Sequence, residues 1–340
     1  SSDLAKKVLD MITSYPLETE VELIKNVKLL YHNAGHILGA AIAEFTLTGA
    51  QQTKKIVFSG DLGRNNDPLM YPPAKIKETD ILLIESTYGN RLNAIQDIEK
   101  DIVAAVNYTF DKGGCVIIPA FAVGRTQNLI FYLNKLMSSG AIPSAPIFID
   151  SPMAISVTDL YEKHGSTHKL NVEKESNKLV SIFDTPNIHF CNSPESSREL
   201  NDRREPSIII SASGMCTGGR ILHHLYHRLP NKNDTLLFAG YQAEGTRGRD
   251  ILEGKTSVRI FGIDVPVKCT VKEIHGLSAH ADQDELMQWI SNFDSSPKMT
   301  FITHGELDAA SALENKIKST HGWNCCIPEY LESFELFTSI

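Results

Sequence analysis

Three segments of the sequence place a histidine or an aspartate directly after an apolar run and next to glycine. His36 follows "YHNAG", Asp61 follows "IVFSG", and His304 follows "MTFIT" and precedes Gly305. Imidazole nitrogen and carboxylate oxygen are natural donors to zinc, and a carboxylate can bridge two ions. Each residue taken singly also fits a hydrogen-bonded core histidine or a turn-forming aspartate. Their shared position at strand ends favours a single metal site built from all three.

Two further strand-end segments carry groups suited to proton transfer. Glu85 closes "DILLIE", and His280 lies in "SAHADQDEL". A carboxylate beside an imidazole fixes its tautomer and raises its pKa, which suits a general acid for a departing oxyanion. The alternative is that both residues cap the segments that follow them. Asp282 is better explained as a helix N-cap than as a ligand.

The glycine-rich stretch "SASGMCTGGR" invites comparison with a phosphate-binding loop. Gly214 and Gly219 flank four residues, but Arg220 replaces the required lysine and Ile221 the required serine or threonine. These differences argue against a nucleoside triphosphatase. Backbone N–H groups, a following helix and an arginine still favour anion binding, although a plain strand-to-helix turn fits equally well. Arg125, which begins another helix, either binds a phosphate or pairs structurally.

Strand-like runs alternate with helix-like runs along the chain, which predicts the α/β class. In such sheets, ligand sites gather at the strand ends and in the loops after them. Helices are predicted near residues 4–12, 98–106, 129–136, 286–290 and 313–317, the last with Asp308 as its cap. Strands are predicted at "VKLLYH", "AAIAEFTL", "KKIVFSG", "DILLIEST", "CVIIPAFA", "APIFIDS", "PSIIISA", "DTLLFAG", "KCTVKEI" and "KMTFITH".

Length and composition narrow the class of protein. A chain of 340 residues with 42% hydrophobic residues suggests two globular domains. The net charge of -8 argues against binding a polyanion over a broad basic surface, but it leaves a local site open. The 6 cysteines form no C-x-x-C pair, so neither a zinc ribbon nor a disulfide framework is expected. Without an apolar run of about 18 residues, we expect no membrane span and a cytoplasmic location.

Nine motifs follow one another along the chain: "AGHILGA", "SGDLG", "IESTYGNR", "PAFAVGRTQ", "DSPMA", "SASGMCTGGR", "GYQAEGTRGR", "SAHAD" and "THGE". Their order resembles the β-CASP branch of the metallo-β-lactamase fold, a family of RNA-processing nucleases. The resemblance runs from about residue 16 to the end of the sequence, and it is strongest to bacterial and archaeal members.

This resemblance assigns roles to five residues. His36 matches the family's third metal motif, and Asp61 matches the fourth, a bridging carboxylate. Glu85, His280 and His304 match motifs A, B and C, of which His304 is a zinc ligand. The resemblance thus implies a site for two Zn²⁺ ions held by His36, Asp61 and His304, with Asp61, Glu85 and His280 as catalytic residues.

The resemblance also implies an architecture: an αββα sandwich with an inserted α/β domain. The expected boundaries are 1–90 and 277–340 for the metallo-β-lactamase part and 91–276 for the β-CASP part. The family's main zinc-binding element, H-x-H-x-D-H, does not occur in these residues. A fragment, a split protein and a degenerate member each explain this. Because the other motif residues are intact, we expect a fragment of an active enzyme that is inactive by itself.

The implied function is zinc-dependent hydrolysis of phosphodiester bonds in single-stranded RNA, from an end or internally. Four residues are candidate ligands of the substrate phosphate: Ser278, Arg220, Gly214 and Arg125. Partners are RNA and either a second copy of the chain or an RNA-processing complex. Two alternatives stay open: a non-catalytic scaffold of such a complex, and a metallo-hydrolase of a small ester or thioester.

Overall fold

The computed structural model describes residues 2–93, 97–170, 182–183, 185–274 and 276–337. By contacts between Cα atoms the chain divides into two compact units, and each is described by itself. Both units contain a sheet with helices, so the predicted α/β class is confirmed. Unit 1 consists of Ser1–Asp67, Tyr71–Leu92 and His280–Ile340; unit 2 consists of Pro68–Met70 and Asn93–Ala279.

Unit 1 is built on a seven-stranded sheet in the order β1-β2-β3-β4-β5-β14-β15. The first four strands form an antiparallel meander, whereas β4, β5, β14 and β15 run parallel. These strands are β1 (Val21–Ile24), β2 (Val27–Asn33), β3 (Ala41–Thr48), β4 (Thr53–Phe58), β5 (Ile81–Glu85), β14 (Met299–Thr303) and β15 (Cys325–Cys326).

The register of the parallel strands positions the residues of interest. Phe58 of β4 pairs with Leu83 of β5, and Thr303 of β14 pairs with Glu85 of β5. The carboxyl ends of three neighbouring strands therefore meet at one edge of the sheet. Loops after parallel strands carry ligands in α/β proteins, because they all emerge at that edge.

Helices α8 (Gln283–Ile290) and α9 (Leu307–His321) pack on this sheet, and α1 (Ser2–Leu9) lies near the N-terminus. Asp282 caps α8 in a reciprocal capping box, as predicted. The predicted cap at Asp308 is wrong, because α9 begins at Leu307 with Glu306 as its N-cap. The fully buried core joins apolar strand and helix residues, including Ile42, Val57, Leu82, Ile84, Ile302, Leu286, Ile290, Leu313 and Ile317.

Unit 2 contains a six-stranded parallel sheet in the order β13-β10-β6-β9-β7-β8 and a small antiparallel ribbon of β11 and β12. Its strands are β6 (Val116–Pro119), β7 (Ile147–Asp150), β8 (Ile188–Phe190), β9 (Ile208–Ser211), β10 (Thr235–Phe238), β11 (Ser257–Ile260), β12 (Ile263–Pro266) and β13 (Thr270–Glu273). Its helices are α2 (Ile98–Asp111), α3 (Arg125–Ser138), α4 (Pro152–Lys163), α5 (Pro194–Asp202), α6 (Ile221–Arg228) and α7 (Arg247–Leu252).

The strand order of unit 2 creates a switch point between β6 and β9. From β6 the chain crosses to β7 on one side, whereas from β9 it crosses to β10 on the other side. Because parallel crossovers are right-handed, the helices after β6 and β9 lie on opposite faces of the sheet. The two loops therefore separate at the carboxyl edge, where open α/β sheets bind ligands. Among the described residues, no helix combines the length and apolar character needed to cross a membrane.

Candidate metal centre

Three candidate residues of unit 1 lie at the shared carboxyl edge of its parallel strands. Glu85 is the last residue of β5, His304 is the first residue after β14, and Asp61 follows β4. Because Thr303 pairs with Glu85, the last residues of β14 and β5 lie side by side in the sheet. Strand pairing alone thus brings together side chains that are far apart in the sequence.

Asp61 lies between two histidines. Its Oδ1 atom is 3.1 Å from Nδ1 of His304, and its Oδ2 atom is 3.9 Å from Nε2 of His36. Within the described ranges, two sets of donor atoms lie within 4.8 Å of one another: His36, Asp61 and His280, and Asp61, Glu85 and His304. Asp61 belongs to both sets. A carboxylate whose two oxygens face different imidazoles suits a residue that bridges two ions.

The loop that carries His36 fits closely against the loop that carries Asp61, and glycine permits this. A Cβ atom on Gly63 would lie 1.9 Å from the carbonyl oxygen of Gly35, a distance that real Cβ atoms do not adopt. The N–H of Gly63 donates to the carbonyl of Ala34 across 2.8 Å. Gly35 itself has φ of 71°, which favours glycine. The glycines around His36 therefore serve the approach of two ligand-bearing loops.

His304 adopts a left-handed backbone conformation with φ of 53°, which is uncommon for a residue other than glycine. Its carbonyl accepts hydrogen bonds from the N–H of Ser86 at 3.4 Å and the hydroxyl of Thr87 at 3.1 Å. The Thr87 hydroxyl also lies 3.3 Å from Nδ1 of His304. The loop after β5 thus holds a strained residue that aims its ring at Asp61. Such strain concentrates at functional sites.

The buried Glu85 and the partly exposed His280 form a pair beside Asp61. Glu85 Oε2 lies 3.3 Å from Nδ1 of His280, and the Glu85 side chain is 1% exposed. The carboxylate also accepts hydrogen bonds from the N–H groups of Leu62 and Thr87. Burial acts to raise the pKa of Glu85, but these hydrogen bonds and the charge of His280 hold it below its ordinary value. Burial likewise opposes charge on His280, but Glu85 raises the pKa of this imidazole.

The ring of His280 also contacts the candidate ligand His36, with 4.3 Å between ring centroids. Gly63 and His280 are joined in a short antiparallel bridge, and Ala281 donates its N–H to the carbonyl of Leu62. The segment before α8 is thereby tied to the loop after β4. The structure brings together all five side chains that the sequence placed in one site: His36, Asp61, Glu85, His280 and His304.

The four candidate phosphate ligands lie in unit 2, and their role stays a prediction. Arg220 donates through Nη1 to Asp150 at 2.7 Å and to the carbonyl of Cys191 at 2.8 Å. Its guanidinium therefore already ties the end of β7 to the loop after β9. Gly214 lies in the loop after β9, Arg125 is the first residue of α3 after the β6 loop, and Ser278 lies at the C-terminal end of unit 2.

The sequence reading missed a buried charged network around Asp150. Nε2 of His224 lies 2.6 Å from the Asp150 carboxylate, and both side chains are 0% exposed. The hydroxyl of Ser197 donates to the same oxygen at 2.6 Å. Burial favours the neutral acid, but His224, Ser197 and Arg220 hold the pKa of Asp150 below its ordinary value. The sequence feature that could have indicated this network is Asp150 itself, a carboxylate that ends the strongly apolar strand "IFID".

The donors of unit 1 fit a divalent transition metal. The two sets contain only imidazole nitrogen and carboxylate oxygen, a combination that zinc accepts and that suits sites open to a substrate. His304 and Asp61 are partly exposed, with side chains 61% and 37% accessible, so that an ion there can meet an external molecule. The chemistry of the donors therefore supports a catalytic metal site over a closed structural one.

Comparison with protein families gives two matches in the same chain. Residues 126–251 match the Beta-Casp domain, and residues 264–328 match the Zn-dependent metallo-hydrolase RNA specificity domain. The second match supports a divalent metal cofactor. The two matched segments follow each other in the order expected from the sequence motifs.

Several known proteins are similar over most of the chain. A protein named Ribonuclease TTHA0252 from Thermus thermophilus is 33% identical over 288 residues, which cover 84% of this chain and 64% of the relative. Transcription termination factor FttA from Methanosarcina mazei is 30% identical over 334 residues, 93% of this chain and 52% of the relative. An RNase J-like protein from Methanocaldococcus jannaschii is 32% identical over 291 residues, 84% of this chain and 66% of the relative.

The chain thus spans between about half and two thirds of the length of these relatives. The family matches and the α/β architecture support the metallo-β-lactamase fold with a β-CASP insertion. The described part of unit 1 contains one large sheet with helices packed on it. On these grounds the chain belongs to the β-CASP family of the metallo-β-lactamase fold.

Proposed function

We propose that the protein is a zinc-dependent ribonuclease that hydrolyses phosphodiester bonds of single-stranded RNA. One observation carries the proposal: Asp61 faces His36 and His304 through different oxygens, directly beside the pair of the buried Glu85 with His280. The RNA specificity domain match and the ribonuclease names of two relatives support RNA as the substrate. We assign 1–90 and 277–340 to the metallo-β-lactamase part and 91–276 to the β-CASP part.

In this proposal His36, Asp61 and His304 would hold two zinc ions, with Asp61 shared between them. Bound zinc supplies Lewis-acid stabilisation of the charge that grows on the phosphate oxygens. Asp61 is central because its two oxygens face opposite histidines. It therefore fixes the spacing of the whole site.

His280 moves the proton. Since its Nδ1 faces Glu85, Nε2 is the ring nitrogen directed to the substrate, where it protonates the leaving 3′-oxygen. Glu85 orients the ring and compensates the charge of the imidazolium. Because Glu85 is held by two backbone N–H groups, this orientation is fixed before the substrate binds.

The number of metal-ligand donors in unit 1 also limits the activity that we expect from these 340 residues alone. Glu85 is engaged by His280 and by backbone N–H groups, which leaves His36, Asp61 and His304 for two ions. Catalytic zinc normally has three protein ligands. We therefore propose that the 340 residues alone have negligible nuclease activity. For the whole protein we propose a cytoplasmic location and assembly as a homodimer or in an RNA-processing complex.

The decisive experiment measures hydrolysis of a fluorescent single-stranded RNA by the full-length protein and its His280→Ala variant, with zinc content determined in parallel. We expect loss of turnover with zinc retained. The exposed His164 provides the control variant His164→Ala, which should match the parent.

Parental turnover in His280→Ala with zinc bound would remove the catalytic role of His280. RNA binding without cleavage by the parent would support a scaffold instead. Hydrolysis of a thioester but not of RNA would identify a small-molecule hydrolase.

A further inference from the structure

The carboxyl edge of the unit 2 sheet gathers three loops next to one another. Strands β10, β6 and β9 are neighbours and parallel, so the loops at 239–246, 120–124 and 212–220 emerge side by side. Two of these loops flank the switch point between β6 and β9. The metal-site chemistry of unit 1 assigns no role to the exposed side chains of the loops at 120–124 and 239–246.

Two of these loops expose a large aromatic side chain next to buried residues. Phe121 is 47% exposed although Ala120 before it is 1% exposed. Tyr241 is 52% exposed, whereas Ala239 is 2% exposed. An aromatic ring that is exposed to solvent at a well-packed sheet edge is a candidate contact for a ligand with an aromatic or apolar face.

The backbone that carries both rings is held in place. The buried amide of Gln242 donates to the carbonyls of Gly214 at 3.0 Å and Gly240 at 3.1 Å, which joins the loop after β9 to the loop after β10. The hydroxyl of Thr126 donates to the carbonyl of Phe121 at 2.8 Å. Exposed rings on locked loops lose little conformational entropy when a ligand binds.

Glycine makes room at two positions of this arrangement. A Cβ atom on Gly214 would lie 3.1 Å from the ring of Phe121, a tight contact that glycine avoids. A Cβ atom on Gly248 would lie 1.8 Å from Oε1 of Gln242 and would displace the amide that joins the loops. The two glycines thus accommodate the Phe121 ring and the Gln242 amide that joins the loops after β9 and β10.

We propose that Phe121 and Tyr241 form a base-stacking site for single-stranded RNA at the carboxyl edge of the unit 2 sheet. The proposal rests on the ribonuclease function proposed above. Every nucleobase has a π face, so stacking binds RNA without sequence preference. The chain carries a net charge of -8, which rules out strong attraction of RNA over the whole surface. Stacking on fixed rings supplies affinity that does not depend on net charge.

The test compares binding of a short single-stranded RNA with that of an abasic oligonucleotide of equal length. The full-length protein is titrated into a fluorescent 12-nucleotide RNA with a phosphorothioate backbone, and anisotropy is recorded. Phe121→Ala and Tyr241→Ala should each weaken RNA binding roughly five- to hundredfold. Both should bind the abasic probe as the parent does.

Two kinds of control separate stacking from a folding defect. Phe121→Tyr and Tyr241→Phe keep a ring and should bind RNA like the parent. Phe261, 55% exposed in the turn between β11 and β12, provides the matched variant Phe261→Ala, which should not change RNA binding.

Parental RNA affinity in both alanine variants would overturn the stacking site while leaving the ribonuclease proposal intact. Equal weakening for RNA and the abasic probe would also overturn it, because that pattern indicates disturbed loops. Absence of RNA hydrolysis by the zinc-loaded parent would defeat the ribonuclease proposal. RNA-specific weakening in the alanine variants, with parental affinity in the ring-retaining variants, supports stacking.

Discussion

The carboxylate of Glu85 lies 3.3 Å from Nδ1 of His280, although 195 residues separate the two in the chain. They meet because β4 pairs in parallel with β5 and the segment before α8 forms a bridge to Gly63 in the loop after β4. Glu85 is buried, His280 is partly exposed, and Glu85 is further held by backbone N–H groups. This fixed geometry makes the pair the most informative target for mutation.

Glu85→Gln keeps the size of the side chain and removes its charge. We expect RNA hydrolysis by the full-length protein to fall by about 10²-fold or more, because His280 loses the group that orients it and stabilises its charged form. Single-turnover cleavage of a labelled RNA measures the effect. The exposed Glu335 gives a control in Glu335→Gln, and an unchanged rate in Glu85→Gln would argue against the assigned roles.

The zinc content of the 340-residue chain should be low. His36, Asp61 and His304 are the donors left for two ions once Glu85 is committed to His280. We expect fewer than two tightly held zinc ions per chain, with a further drop in Asp61→Asn because both sets share Asp61. Elemental analysis after dialysis gives the number. Two retained zinc ions per chain would show that these donors suffice.

Gly63→Ala should disturb the metal site from outside it. The new methyl group would lie 1.9 Å from the carbonyl oxygen of Gly35, so the loop that carries His36 must move. We expect loss of stability in unit 1 by about 1–3 kcal/mol and weaker metal binding. Gly218→Ala is the matched control, since nothing lies within 4 Å of its added methyl. Thermal unfolding and metal titration of both variants provide the comparison.

Asp150→Ala should destabilise unit 2. Asp150 is fully buried and is shared by Arg220, His224 and Ser197, so its removal leaves buried donors and charge without a partner. We expect a loss of about 3–5 kcal/mol of unfolding free energy. Urea unfolding measured against the exposed control Asp159→Ala tests this. A loss below about 1 kcal/mol would mean that the network contributes little.

His32 makes part of the stability of unit 1 depend on pH. Its hydrogen bond to Glu44, opposed by burial and aided by Glu18, raises the pKa of His32 above its ordinary value. The pair therefore stabilises the fold fully below about pH 6.5, the unfolded value, and this contribution disappears as pH rises through the folded pKa. His32→Gln should lose about 1 kcal/mol at acidic pH and little at alkaline pH.

Pulse-labelled hydrogen exchange across a urea series can follow β2 and β3 separately from unit 2. The variant and the parent should have different midpoints at pH 5.5 and similar midpoints at pH 9. A difference that stays constant across this range would contradict the assigned protonation.

Much of the secondary structure could be predicted because apolar runs mark buried strands. All ten predicted strand segments contain a strand: β2 to β7, β9, β10, β13 and β14. The missed strands β1, β8, β11, β12 and β15 have two to four residues and lie at sheet edges or in the separate ribbon. In β1, β8, β11 and β12 at least half of the residues are exposed, so these strands lack the continuous apolar run of a fully buried strand such as β6 or β9.

The clustering of the candidate residues of unit 1 could be predicted from the sequence, whereas several long-range contacts could not. Strand-end positions identified Asp61, Glu85 and His304, because parallel strands deliver their carboxyl ends to one edge. The pairing of Asp150 with His224 was missed, since 74 residues separate them and no local pattern links the apolar strand that ends at Asp150 to a histidine of α6. Long-range pairs of this kind are set by tertiary packing, which local patterns do not report.

The two ends of the long unit 2 segment, Asn93–Ala279, adjoin parts of unit 1 that are hydrogen-bonded to each other. The N–H of Gln283 donates to the carbonyl of Arg91 at 3.1 Å, and its side-chain amide donates to the carbonyl of Gly89. The chain therefore leaves unit 1 before residue 93 and re-enters it after residue 279 at neighbouring points. A linker of a few residues is long enough to replace residues 93–279. The architecture therefore permits gain, loss or exchange of this insertion without a change in the path of the chain through unit 1.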